Sequence, residues 1–287
     1  MSSQDETAAA ALYEGLARYQ WWSRRLRRAP DGEALEMHKR LRAPAPGTAG
    51  PPAGQHLHDW LWEQAAPGPE PRLLEVGCGF GASLLHFART RRGHFVGIGN
   101  SPYQIARARA QARALPLLGH CEFWLQSHDQ PVGAAFDRIL AVETLIHAQD
   151  LARTLANLAR ALRPGGCLLA VEDLAADASA QQSAPAQALC RAWAATRLGT
   201  LSDWQQAAAA AGLHLQVLHD LSAQVDPREE PVLQRAERRL RRLAQWLPGR
   251  RARGVVAAFL GGIALERLYH AGGARYLCLR LTQARPA

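Results

Sequence analysis

Four residues at fixed spacing offer the first chemistry: Glu75, Gly77, Gly79 and Gly81, in the run Leu73-Leu74-Glu75-Val76-Gly77-Cys78-Gly79-Phe80-Gly81-Ala82. Closely spaced glycines let a backbone turn sharply and approach a ligand, and a helix opening just beyond them offers free N–H groups. The run also satisfies a dinucleotide fingerprint, G-x-G-x-x-A. Two details oppose that reading. Glu75 sits directly before the turn, placed to receive an amino group rather than a pyrophosphate. The stretch Gly97-Ile98-Gly99-Asn100-Ser101 supplies no carboxylate about 20 residues on to hold a ribose. Metal chemistry finds no support: the five cysteines form no CxxC pair, the eleven histidines no HExxH, and His56 and His58 would diverge on a helix. No metal site is expected.

The elements that must position these residues follow from the patterning. From Pro71 to about Leu221, apolar runs of strand length (RLLEV, HFVGI, CEFWL, FDRILAV, CLLAVEDL, LHLQVLHDL) alternate with helical segments, the signature of a doubly wound, mostly parallel sheet. ARYLCLRLTQ supplies a final strand, giving a seven-stranded Rossmann-like α/β fold. Residues 1–70 read as an N-terminal helical cap, 71–174 as the core, and 175–287 as a helical insertion plus the last strands of the same fold. Ser202 is a candidate N-cap for a helix running to Ala211, and Pro227 to Leu247 reads as an Arg-rich amphipathic helix. In an open parallel sheet ligands bind at the carboxyl edge. His147, after the fourth strand, and Asp173, ending the fifth, fall there, and so does Glu143.

The ordered landmarks LLEVGCGFG, SPYQIARARA, FDRILAVET and ALRPGG resemble those of class I S-adenosylmethionine-dependent methyltransferases from about residue 71 to 174, with a looser tail to 283. Within them, GIxxSPxQ, the VETLIHAQD segment and Gly273 with Tyr276 are similar to the cyclopropane-synthase-like, tocopherol-type and natural-product sugar O-methyltransferase branch. The resemblance implies S-adenosylmethionine held by Glu75, Gly77, Gly79 and Gly81. It places Asn100, Ser101 and Gln104 near the ribose, and Ser127, His128 and Asp129 near the adenine. The family's usual acid after the second strand is absent here, with Asn100 in its place. The resemblance further implies O-methylation of a small natural-product acceptor, with His147 as general base and Asp173 orienting its ring. Histidine suits that task because its ordinary pKa lies near neutrality. The alternative is C-methylation of an isoprenoid or other alkene, using Glu143 and pocket aromatics such as Tyr13, Tyr19, Trp21 and Trp22. An NAD-dependent oxidoreductase is the weaker rival.

Composition bounds the rest. With 287 residues, 48% of them hydrophobic and 21% charged, the chain can bury a sizeable core. The odd, widely spaced cysteines point to reduced thiols, and the polar, acidic N-terminus lacks a secretory pattern, so a cytoplasmic location is expected. The longest apolar run, Gly254 to Leu265, is too short for a membrane span. A net charge of +9 raises the question of nucleic acid. The arginines of residues 24–28 and 235–242, however, lie at helical spacing opposite leucines, which reads as solvated helix faces, and no nucleic-acid partner is expected. Oligomeric state is left open, a homodimer included.

Overall fold

The computed structural model describes Gly15, Tyr19, Lys39, residues 41–44, 50–51, 57–133, 135–247 and 249–283. The candidate aromatics Tyr13, Trp21 and Trp22 lie outside the described residues.

Seven strands form one sheet in the order β3-β2-β1-β4-β5-β7-β6. They are β1 (Arg72–Val76), β2 (His94–Gly99), β3 (His120–Leu125), β4 (Phe136–Val142), β5 (Leu162–Ala175), β6 (Leu213–Asp220) and β7 (Ala274–Gln283). The first five run parallel, and β7 lies antiparallel between β5 and β6. Strands covered on both faces should read as unbroken apolar runs, and Phe95 to Ile98 and Cys167 to Leu174 are buried throughout. The chain winds outward from β1 in one direction as far as β3, then returns to build β4 on the other side. The gap beyond the carboxyl ends of β1 and β4 is therefore the topological switch point, where open α/β sheets bind ligands.

Helix α1 (Leu57–Ala65) precedes β1, and the crossovers are α2 (Ala82–Thr90), α3 (Pro102–Ala114) and α4 (Leu151–Ala161). After β5 come α5 (Ala178–Gln181), α6 (Ala184–Trp193), α7 (Leu201–Ala210), α8 (Glu230–Trp246) and α9 (Gly249–His270). Local signals set their ends. Ser101 caps α3, with Pro102 in the first turn. Asp150 caps α4, whose buried face of Thr154, Leu155, Leu158 and Ala161 packs on the sheet. For α7 the cap is Thr200 rather than Ser202. Thr200 and Asp203 form a reciprocal capping box, which satisfies two backbone N–H groups where a lone serine would satisfy one. The Arg-rich α8 buries only Leu233, and Glu230 and Glu237 pair with Arg267 of α9 at 2.9 and 2.8 Å. Among the described residues no helix is long and apolar enough to cross a membrane.

Candidate active site

The glycine turn leaves β1 at the switch point. Gly77, Gly79 and Gly81 have φ of 69°, 53° and 76°, the left-handed region that glycine enters without steric cost. Space imposes a second demand. A Cβ on Gly77 would lie 2.1 Å from Thr144 Oγ1, and one on Gly81 would lie 2.4 Å from the Phe123 ring. The turn is thus wedged between the loop after β4 and the side chains of β3. Glu75 is buried one residue before the turn; its Oε1 accepts the Ser83 hydroxyl at 2.5 Å and its Oε2 has no partner. Burial pushes this carboxyl up to about 7, opposed by the Ser83 bond. A buried, unpartnered carboxylate oxygen is an expensive feature unless a ligand completes it. An ammonium group would, so the residues present fit a cofactor that carries one.

The other residues assigned to the cofactor are disposed unevenly. Asn100 is half-buried at the end of β2, Gln104 is buried, and the Ser101 hydroxyl accepts the Gln104 N–H at 3.3 Å as the helix cap. Ser127 accepts the N–H of Asp129 at 3.3 Å, and His128 is buried beside it. Asp129 is bound into the fold itself. Its carboxylate accepts from Thr154 Oγ1 at 2.5 Å and from the Gln149 N–H at 3.4 Å, while Asn157 donates to its carbonyl at 2.9 Å. It ties the loop after β3 to the start of α4.

Across the switch point the ends of β4, β5 and β7 carry a compact polar cluster. Glu143, the first residue past β4, has φ of 49° and is held there by its N–H on Val171 O at 2.9 Å. A non-glycine residue in this region costs of order 1 kcal/mol or more, and residues so strained cluster at active sites. Lys39 Nζ lies 2.8 Å from Glu143 and 2.6 Å from Asp173, 3.9 Å above the Tyr276 ring. The Tyr276 hydroxyl donates to Glu143 at 2.8 Å, and that of Tyr269 donates to Asp173. Burial opposes the Lys39 charge, but Asp173 and Glu143 outweigh it and raise the ammonium above its ordinary value. Burial, reinforced by the two carboxylates, pushes both phenols well up, so they stay neutral donors. Lys39 is held over the sheet edge by a short strap: Leu41 pairs with Val225, and the Arg42 N–H reaches Gln224 O at 2.8 Å.

The orientation of His147 by Asp173 is therefore not found. Both Asp173 oxygens are spent on Lys39 and Tyr269, and His147 sits in the single turn Leu145–His147, where desolvation and neighbouring His128 push it down to about 4. Glu172, alternating to the other side of β5, has a different task. Its Oε1 accepts the N–H groups of Thr144 and Leu145 at 2.9 and 2.7 Å, fixing the turn that follows Glu143, and burial pushes its carboxyl up to about 8. Sequence reading missed Lys39, Ser83 and Tyr269 as site residues. One signal for the first existed: it is the only lysine among 34 basic residues. Among the described residues no group of three or more His, Cys, Asp or Glu is placed to hold a metal.

Residues 74–170 match the family model described as a methyltransferase domain. This core is a methyltransferase domain. The match decides against the dinucleotide reading of the glycine run, and the ammonium that Glu75 lacks is present in S-adenosylmethionine. The chain is similar to the methyltransferase GfsG of Streptomyces halstedii, 31% identical over 185 residues, 63% of this chain and 66% of that protein. It is also similar to the O-methyltransferase rstn1 of Aspergillus nomiae, 39% identical over 109 residues, 37% of this chain and 48% of that one. The matches thus span from about half to just under two thirds of these curated relatives. Among solved structures, the geranyl diphosphate C-methyltransferase of Streptomyces coelicolor shares the fold, with a TM-score of 0.65 at 17% identity, covering 95% of this chain and 98% of that one.

Proposed function

We propose that this chain transfers the methyl group of S-adenosylmethionine to a hydroxyl of a small-molecule acceptor. The observation that carries the reading is the pairing, across one switch point, of a glycine turn beside an unpartnered buried carboxylate with a polar cluster built on Glu143. When bound, the cofactor supplies an electrophilic methyl for in-line displacement, so the chain's work is alignment, proton removal and exclusion of water. Glu75 takes the ammonium of the cofactor, and Gly77, Gly79 and Gly81 let the backbone approach it. Glu143 is the base we assign, in place of His147. It stands at the strained strand end, is oriented by Tyr276 and Lys39, and is half-buried beside the acceptor side of the sheet. A histidine held near pKa 4 is a weak proton acceptor at neutral pH. Asp173 acts through Lys39, as a positioning residue. The name of rstn1, an O-methyltransferase, supports the hydroxyl acceptor.

A second reading, methylation of carbon in a prenyl-type alkene, draws support from the near-complete fold match to a geranyl diphosphate C-methyltransferase. There Glu143 would remove a proton after the carbon–carbon bond forms. Incubating the enzyme and methyl-labelled cofactor with matched panels of hydroxylated and alkene acceptors, then locating the label by NMR, separates the two. Label on oxygen supports the proposal; label only on carbon overturns it.

A further inference from the structure

Helix α8 takes no part in the site described above. Of its 17 residues only Leu233 is buried, and Glu237 faces α9 through Arg267 at 2.8 Å. These two mark the inner side of the helix. At about 100° per residue, Val232, Arg235, Arg239, Arg242 and Trp246 all fall within about 60° of the opposite line, in the alternating three- and four-residue spacing of a single stripe. The stripe faces outward: Trp246 is 84% exposed, Leu243 beside it 49% and Val232 37%, and the three arginines are exposed between them. Arg241, off the stripe, reaches Glu237 at 2.7 Å. Among the described residues, none of Arg235, Arg239 and Arg242 has a carboxylate partner.

A row of arginines needs only water, and a single exposed leucine is ordinary. A bare indole in line with unpaired guanidinium groups asks for more: a surface that presents anions and hydrocarbon side by side. Anionic lipid headgroups over acyl chains do so, since guanidinium groups pair with phosphate and tryptophan settles at headgroup level. A second copy of this chain would set the same arginines against one another across a two-fold contact. A nucleic-acid duplex offers phosphates but keeps its apolar base faces inside the stack. We propose that the outer stripe of α8 is a docking surface for an anionic lipid bilayer, on which the chain rests without crossing it. The net charge of +9 draws the whole chain toward such a surface.

Co-sedimentation of the full chain with vesicles tests this. Vesicles of phosphatidylcholine mixed with phosphatidylglycerol should hold the chain and release it as salt rises, whereas phosphatidylcholine alone should not hold it. Changing Arg235→Gln, Arg239→Gln and Arg242→Gln together should lower the partition coefficient roughly a hundredfold, about fivefold for each charge. Lipids brominated on their acyl chains should quench tryptophan fluorescence, and most of that quenching should be lost in Trp246→Phe, an exposed change that stands as a test even if the triple variant melts. Equal binding to both kinds of vesicle, binding unchanged in the triple variant, or quenching unchanged in Trp246→Phe would overturn the proposal. So would a lipid-free dimer broken by Trp246→Ala, which assigns the stripe to a second copy, or binding to a DNA duplex or to polyglutamate without binding to vesicles.

Discussion

On the β1–β3 side of the switch point, the cofactor wall is assembled from one short run: Glu75, the three glycines and Ser83 all lie within residues 75–83. On the β4–β7 side, the wall proposed for the acceptor exists only because the fold brings together residues 39, 143, 173, 269 and 276. The two walls also differ in electrostatics. The first leaves a buried carboxylate oxygen without a partner, whereas the second is ion-paired and hydrogen-bonded. A contiguous motif suits a constant ligand, because backbone geometry alone shapes it.

The sharpest way to break this comparison is to remove the proposed base. Glu143→Gln should lower turnover by ~10² to 10⁴-fold, the range for a positioned general base. His147→Ala should lower it by less than about tenfold, because a ring held near pKa 4 contributes little proton affinity. Steady-state rates of the two variants, with cofactor saturating, decide between them. A larger loss in His147→Ala would restore the histidine to the mechanism and undo the acceptor wall described above.

A smaller effect sharpens the other side. Gly81→Val places a branched side chain at φ 76°, with its Cβ 2.4 Å from Phe123 Cζ. It should cost ~3 kcal/mol of stability by chemical denaturation, since both backbone and packing resist it. An unchanged denaturation midpoint would mean the turn is not wedged between strands, and that its glycines answer to the ligand alone.

The contrast also explains what could be read from the chain. The glycine run and the strand alternation depend on neighbours in sequence, and the structure places them as the pattern requires. Thr200 displaced Ser202 as a cap because a capping box outbids a lone hydroxyl. The clamp that Asp129 makes on the start of α4 was not legible, because nothing beside it in the sequence names Thr154 or Gln149 as its partners. The pairing of Asp173 with Lys39 was out of reach. Nothing local to either residue reports that a strap pinned at Leu41 and Arg42 carries the lysine across the sheet edge.

The most direct test of the central claim is the pH dependence of S-adenosylmethionine affinity in the wild-type chain and in Glu75→Gln. The Glu75 carboxyl, pushed up to about 7 by burial, takes a proton as the pH falls through that value and loses its attraction for an ammonium group. Its folded pKa lies above the ordinary 4.5, so without cofactor the folded state holds the extra proton between those values and stability declines as pH rises across the window. Binding should run the opposite way. Calorimetry should show affinity rising about tenfold from about pH 6 to about pH 8 in the wild type, and a weaker, flat profile in Glu75→Gln, which keeps the shape and removes the charge. Equal affinity in the two proteins across that range would contradict the placement of the cofactor at the glycine turn.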